Sequence, residues 1–356
     1  MKNMKHWLNS LSNKTAKRLS LGMLALGLLL FLLALWLNLG AGGRGHHFDH
    51  LRHGLLCTGN RIRRRRRGAA QAANTAITEL EDLISWRVEG SDVEQLNQAA
   101  GTDFLEIDQR TWNVLRTSLD VCQASGGAFD ITIAPISWLW DFDENPRLPQ
   151  AETIEALLPA VNYENVSLLE DGTAALQTHS TALDLGAVGK GAACDAAVAA
   201  YEESGVNRAV VSVGGSVGVY GEKPGGQPWT IALRDPDTEG SLGTLSLASG
   251  FLSTSGSYEK QFTEDGVTYH HLLDPDTGYP AESGLLSVTV WSGSGTLSDA
   301  LSTACFVLGL EDSLPVLEQF DSEAVFITED HQIYVTEGLA DAFSLTGEGY
   351  TLAGTV

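Results

Sequence analysis

Apolar residues first recur at helical spacing in AANTAITELEDLISW, where Ile77, Leu80 and Ile84 share one face. SDVEQLNQAAG reads as a short capped helix closed by a glycine, and TWNVLRTSLDVCQASGG as a longer one that stops at Gly126 and Gly127. TIEALLPAV predicts a further short helix. TALDLGAVGKGAACDAAVAAYEESG predicts a strand, a glycine turn and a helix in succession. NRAVVSVGGSVGVYG, WTIALRDP and GTLSLASGFLSTSGSYEKQF carry strand patterns. GVTYH and LLSVTVW predict strands that flank HLLDPDTGYP, whose Asp-Pro, Thr-Gly and Tyr-Pro pairs suit a tight turn. LSDALSTACFVLGLEDSLPVLEQF predicts a helix pair, and EAVFIT with QIYVTEG a closing strand pair. Helices and strands mixed without strict alternation predict an α+β fold, one globular unit with two intimately joined lobes.

The N-terminus follows different rules. Residues 1–18 are basic through Lys2, Lys5, Lys14, Lys17 and Arg18, and an uncharged apolar run follows over 19–40. About 20 apolar residues span a bilayer and the basic flank stays cytoplasmic. The small-residue stretch LGAGG fits a signal cleavage site only loosely. The expectation is an uncleaved single-pass anchor in the cell membrane, with an extracytoplasmic body.

Charge sharpens this division. The chain carries −23 overall, yet residues 1–70 hold 13 Lys and Arg against one acidic residue, Asp49. Residues 71–356 hold 9 Lys and Arg against 44 Asp and Glu, a net −35. So acidic a body repels nucleic acid and anionic lipid, which excludes a polynucleotide substrate. A phosphorylated ligand would need a cation or oriented backbone amides. Cys57, Cys122, Cys194 and Cys305 are widely spaced with no CxxC pair, so zinc spacing is absent. Cys122, Cys194 and Cys305 fall in apolar stretches and are expected in the core.

Residues 41–69 form a juxtamembrane segment, and within it HLRHGLLCTGNRIRRRRRG (50–68) is out of character with the rest. It reads either as a polybasic patch or as a frameshifted stretch whose frame is restored near Ala69. Read one base later, codons for His-Leu-Arg-His-Gly yield Thr-Phe-Asp-Thr, and CGN arginine codons become Ala, Asp, Gly or Val. On that reading a strand of the fold is missing here, and the working domain is 70–356. Resequencing the gene decides between the two.

Four stretches combine small residues with polar groups. SGGAFDITIAPISWLW places Asp130 just beyond two glycines, which by themselves are a helix stop. LDLGAVGKG runs an apolar strand into Gly-x-x-Gly-Lys-Gly at a helix start, where amides and Lys190 suit a phosphate. This is neither the P-loop nor the dinucleotide spacing. STSGSYEKQF precedes the HLLDPDTGYP turn. SDALSTA sets Asp299 and Thr303 four apart on one helix face, and such oxygen ligands suit Mg²⁺ better than zinc. Asp299 could equally be a helix cap.

In order and content these stretches resemble the ApbE family of flavin transferases: Gly126–Thr132 is similar to its GGAFDPT segment, and Leu183–Gly191 to LDLGAIAKG. Thr254–Pro280 resembles its T-SG-Y…HIIDPxTGYP signature, and Asp299–Ala304 resembles DALATA. Ile131 stands where proline is usual, and Gly189 replaces the common alanine before Lys190. The likeness covers about 70–353, and the family's early Phe-Asp-Thr strand matches the shifted reading of 50–68.

The resemblance implies FAD as substrate in a cleft between lobes, with Mg²⁺ on its pyrophosphate held by Asp299, Thr303 and the Ala187 carbonyl. It implies that Gly127, Asp130, Asp184, Lys190, Ser255, Gly256, Tyr258, His271, Asp274 and Tyr279 line the dinucleotide. A Thr or Ser hydroxyl of an acceptor flavoprotein would attack the phosphorus nearest riboflavin, and AMP would leave. His271 is then the candidate base, with an ordinary pKa suited to neutral pH, and Asp274 its orienting partner or a further ligand contact. Tyr258 and Tyr279 could stack on the ligand or belong to the core. His270 is expected at the surface, and Trp138 and Trp140 in lobe packing. The competing readings are an FAD pyrophosphatase yielding FMN and AMP, and a non-enzymatic flavin-binding protein. No acceptor motif is present, DGTAAL being a poor fit, so self-modification is not expected.

Overall fold

A computed structural model describes residues 51–54, 60–223 and 225–356, with side chains from Arg67 onward. The apolar run 19–40 and the basic N-terminus lie outside the described residues. Contacts gather His50–Val356 into one compact unit.

Strand β1 (Leu51–Gly54) precedes α1 (Asn60–Ile84). Ile77, Leu80 and Ile84 are buried, as their spacing predicts, and the helix begins well before Ala70 because arginine is a good helix former. A backbone strand lies in the segment where the frameshift reading has one missing, and it pairs antiparallel with Val210–Val213. Helix α2 (Asp92–Gln98) is capped by the Ser91 hydroxyl, which accepts from Glu94 N, and the Glu94 carboxylate accepts from Gly90 N in return. Next come β2 (Leu105–Glu106) and α3 (Gln109–Ala124), whose last residues give way to Gly126 and Gly127 at positive φ. Helix α4 (Ala134–Trp140) was not evident in the pattern; Pro135 sits in its first turn, where a missing N–H costs nothing. Helix α5 (Ala151–Leu157) and strands β3 (Val166–Leu168) and β4 (Thr173–Leu176) follow.

The strand expected at Thr181–Leu185 does not form beyond a single bridge, Ile133 to Ala182. Its backbone groups are used otherwise. The Asn97 side chain donates to Leu183 O (3.0 Å) and accepts from Leu183 N (2.7 Å), while Asp184 N donates to Ile131 O (2.8 Å). Helix α6 (Gly189–Glu203) starts straight from the glycine turn.

The remaining strands are β5 (Ala209–Val213), β6 (Ser216–Tyr220), β7 (Trp229–Arg234), β8 (Ser241–Leu247), β9 (Gly250–Gly256), β10 (Gln261–Glu264), β11 (Val267–His270) and β12 (Leu285–Ser292). Helix α7 (Gly295–Gln319) breaks at Gly309, where φ is 80°, so the expected helix pair is present as one kinked run. Then β13 (Glu323–Thr328) and β14 (Gln332–Val335) close the predicted hairpin, and β15 (Phe343–Leu345) and β16 (Thr351–Thr355) extend beyond it.

The central sheet runs β1-β5-β6-β9-β12-β13-β14-β16, antiparallel except where β16 joins β14. Smaller sheets are β15-β8-β7, β2-β4-β3 and the hairpin β10-β11. Mixed pairing with helices on the sheet makes the expected α+β fold. Helix α7 lies on β9 and β12, α6 lies on α7, and α1 lies on α6. Among described helices α7 alone is long and apolar enough to cross a membrane, but more than half of its apolar stretch is buried in this core.

Gly191 on α6 and Gly295 on α7 let these helices touch backbone to backbone. A Cβ on either would collide with the other's carbonyl oxygen. Gly191→Ala should therefore separate the helices and lower stability by about 1–3 kcal/mol, measured by urea denaturation; an unchanged midpoint would contradict this contact.

Candidate active site

The close approach of α6 and α7 sets the position of Asp299, in the second turn of α7. The residue is 2 % exposed. Oδ2 accepts from Gly191 N at 2.9 Å, and Oδ1 accepts from the Ser216 hydroxyl at 3.3 Å and lies 3.7 Å from Lys190 Nζ. Burial raises the Asp299 pKa, while Lys190, the Gly191 amide and Ser216 work against that rise. Asp299 is thus not a helix cap; Ser294 caps α7, and Asp195 on α6 accepts from Gly295 N and Thr296 N.

Lys190 also donates to Gly186 O at 3.5 Å, and its stem passes Gly214 in the β5-β6 turn. Gly214 has φ +56°, and a Cβ there would press on Lys190 Cδ at 3.0 Å. Asp184 shapes the turn ahead of Lys190: Oδ1 accepts from Gly186 N (2.9 Å) and Oδ2 from Ser137 Oγ (2.9 Å). Ala187 follows in the same half-buried turn.

Hydroxyls fill the space between α7 and the sheet. Ser253 and Ser255 alternate onto one face of β9. Ser255 Oγ lies 2.8 Å from Ser302 Oγ and 3.2 Å from Thr303 Oγ1, so Thr303 stands in the same polar layer as Asp299. Ser216, Ser253 and Ser298 continue that layer. None of these three was singled out from sequence; the i, i+2 spacing in STSGS and the i, i+4 spacing of Ser298 and Ser302 were the available signals.

His271 follows β11, and its amide donates to Lys260 O at 3.0 Å. Its Nδ1 is buried with no hydrogen-bond partner. Burial, then the positive charges of Lys260 and Lys190 and the neighbouring His270, push its pKa down to about 3. The expectation of an ordinary imidazole pKa is corrected accordingly. Asp274 does not orient it, because its carboxylate serves its own turn. Oδ1 accepts from Asp276 N (2.9 Å), Oδ2 from Thr277 Oγ1 (3.2 Å), and Gly278 N donates to the Asp274 carbonyl (2.8 Å). His270, expected at the surface, is half-buried: it packs edge-on against Phe306 at 5.5 Å and its Nδ1 is buried.

Other anticipated ligand contacts have structural partners. Asp130 is buried, and its oxygens accept from Thr132 N (2.7 Å), Thr132 Oγ1 (2.6 Å) and Tyr163 N (2.8 Å), clamping the loop after Gly127. Tyr279 meets Trp140 edge-on at 5.8 Å in a cluster with Phe142, Phe262 and Tyr269, and Trp140 Nε1 donates to Gly278 O. Trp138 is half out in solvent against Trp86. Tyr258 lies under the Arg234 guanidinium at 5.2 Å, and a Cβ on Gly256 would meet its ring at 2.6 Å. Burial pushes the Tyr258 phenol up to about 12. Cys122, Cys194 and Cys305 are free and buried.

Among the described residues no group of three or more His, Cys, Asp or Glu gathers as a metal-ligand cluster. The oxygen donors that the site shows are the Asp299 carboxylate and, one turn further along α7, the Thr303 hydroxyl. One carboxylate and one hydroxyl are oxygen donors of the kind that a hard cation takes together with substrate phosphate oxygens.

Fold and site define a class: a mixed α+β protein setting one buried carboxylate and one lysine beside a glycine turn. The ApbE family profile matches residues 54–326, and the chain belongs to the ApbE family. It is 31 % identical over 291 residues to the FAD:protein FMN transferase of Treponema pallidum, spanning 77 % of this chain and 80 % of that protein. The FAD:protein FMN transferase of Rhodobacter capsulatus is 37 % identical over 252 residues, 69 % of this chain and 48 % of its own length. The ApbE protein of Thermotoga maritima superposes with TM-score 0.72 at 33 % identity, over 78 % of this chain and 91 % of that one. Flavin transferase ApbE from Vibrio cholerae shares the fold, with TM-score 0.71 at 23 % identity over 82 % and 99 % of the two chains. The protein is an enzyme of the transferase class.

The depressed His271 pKa has a measurable consequence. Below pH 6.5 the unfolded chain binds a proton at His271 that the folded chain refuses until about pH 3. Stability from this group is therefore complete at neutral pH and is lost as pH falls. The stability of the wild type relative to His271→Gln should drop by about 1.4 kcal/mol per pH unit between pH 6 and 4. Denaturant titrations check this, and a difference independent of pH would place His271 in water.

Proposed function

We propose that the protein moves FMN from FAD to a Thr or Ser hydroxyl of an acceptor flavoprotein, with Mg²⁺ as cofactor and AMP as the released product. The observation that supports it most is the buried Asp299 carboxylate beside Lys190 and the Ser255–Thr303 layer, in a chain whose relatives are named FAD:protein FMN transferases. Bound at Asp299, Thr303 and the Ala187 carbonyl, Mg²⁺ would neutralise charge on the pyrophosphate.

The acceptor oxygen attacks the phosphorus on the riboflavin side. The bond from that phosphorus to the bridging oxygen breaks, and AMP departs with that oxygen. Lys190 offsets phosphate charge within a body of net −35 over residues 71–356. His271 is neutral before substrate arrives and can accept the hydroxyl proton at a ring nitrogen. The bound pyrophosphate then supplies the negative charge that stabilises the imidazolium. The His271 backbone is held by its amide bond to Lys260 O, and the Asp274 turn closes on itself three residues further on.

The membrane is a second partner in this reading: residues 19–40 anchor the chain and the body faces outward. Full-length protein should stay in the membrane pellet after alkaline washing, and release into the supernatant would remove the anchor.

The enzymatic claim is checked by incubating the full chain with FAD, Mg²⁺ and a flavin-acceptor domain. The expected products are a fluorescent acceptor band and AMP, both reduced about 10²-fold or more in Asp299→Ala. AMP without labelled acceptor would support a pyrophosphatase, and retained FAD with neither product a binding protein.

A further inference from the structure

Three buried serines connect Asp299 to the first turn of its own helix. Ser216 Oγ is 3.3 Å from Asp299 Oδ1 and 2.8 Å from Ser253 Oγ. Ser253 Oγ is 3.0 Å from Ser298 Oγ, which is 3.0 Å from the Gly295 carbonyl oxygen. Strand register explains the meeting, since Ser216 and Ser253 are direct partners across β6 and β9. Ser298 is the neighbour of Asp299 on α7. All three side chains are essentially inaccessible to water.

Four contacts are served by three hydroxyl protons, because each serine owns one. One contact must lack a proton at any moment, and with Asp299 ionised beside Lys190 both ends of the chain are pure acceptors. With every proton directed toward Asp299, the gap falls at Gly295 O. With every proton directed the other way, the gap falls at Asp299 Oδ1. A charged carboxylate draws the stronger hydrogen bond, so without a cation the protons run toward Asp299.

We infer that Ser216, Ser253 and Ser298 are positioning residues forming a reversible proton-ordered chain, which fixes Asp299 and then turns away when a cation takes Oδ1. This rests on the reading of Asp299 as a cation ligand. Turning the chain rotates three hydroxyls, breaks no covalent bond and leaves no buried hydroxyl without an acceptor. Its effect is to prevent a buried donor from competing with the cation for Oδ1.

The chain makes predictions of opposite sign for neighbouring residues. In Ser253→Ala, Ser216 has Asp299 as its remaining acceptor in the chain, so its proton stays on Oδ1. Mn²⁺ should then bind about tenfold more weakly. Ser298→Ala removes the far link and should act in the same direction, serving as the second break if Ser253→Ala folds poorly. Ser216→Ala removes the competing donor itself, and Mn²⁺ should bind at least as tightly as to the wild type. The measurement is Mn²⁺ alone titrated into purified full-length protein, followed by the loss of its free-ion paramagnetic resonance signal. Melting curves establish that each variant is folded. Weakening by all three variants, or by none, overturns the chain while leaving Asp299 as a cation ligand. Failure of the wild type to bind Mn²⁺ overturns the cation reading on which the chain depends.

Discussion

A carboxylate that is nearly inaccessible to water is costly to keep charged unless donors and positive charge surround it. Asp299 meets that condition through the Gly191 amide, the Ser216 hydroxyl and Lys190. Each depends on a separate piece of architecture. The amide reaches Asp299 because Gly191 and Gly295 admit helix-to-helix backbone contact. The hydroxyl reaches it because β6 and β9 are in register. The ammonium reaches it because Gly214 gives way to the lysine stem. The packing of α6, α7 and the central sheet therefore converges on one side chain.

Electrostatics gives this convergence its use. A body of net −35 over residues 71–356 opposes any anionic ligand, and only a local concentration of positive charge can reverse the field. Lys190 supplies one such charge from a flexible stem at a helix start. A hard cation seated on oxygen donors would supply more, at the point where the acidic field is already committed to a ligand. The clamp of Asp130 on Thr132 and Tyr163 and the self-contained Asp274 turn hold the surrounding loops without adding free charge there.

Much of this was legible in the sequence, for physical reasons. The helical spacing of Ile77, Leu80 and Ile84 and the alternation in β5 report burial directly, whereas β12 is buried on both faces. The stretch Thr181–Leu185 misled because its apolar pattern suits a strand, whereas its backbone is satisfied by Asn97, 86 residues away. Strand β16 was missed because its residues are largely exposed and carry no alternation. His271 and Asp274 invited pairing by proximity, yet the turn directs the carboxylate to its own amides. The serine layer was hidden because a serine looks the same on a surface, in a turn or in a core; strand register brings Ser216 to Ser253, and the packing of α7 on β9 brings Ser298 to Ser253.

The most direct measurement is anomalous scattering from crystals of the full protein grown with Mn²⁺ and FAD. The account predicts one strong peak within bonding distance of the Asp299 carboxylate and the Thr303 hydroxyl, touching the pyrophosphate oxygens. A fully occupied dinucleotide with no peak there, or with Asp299 still engaged only by Gly191, Ser216 and Lys190, would contradict it.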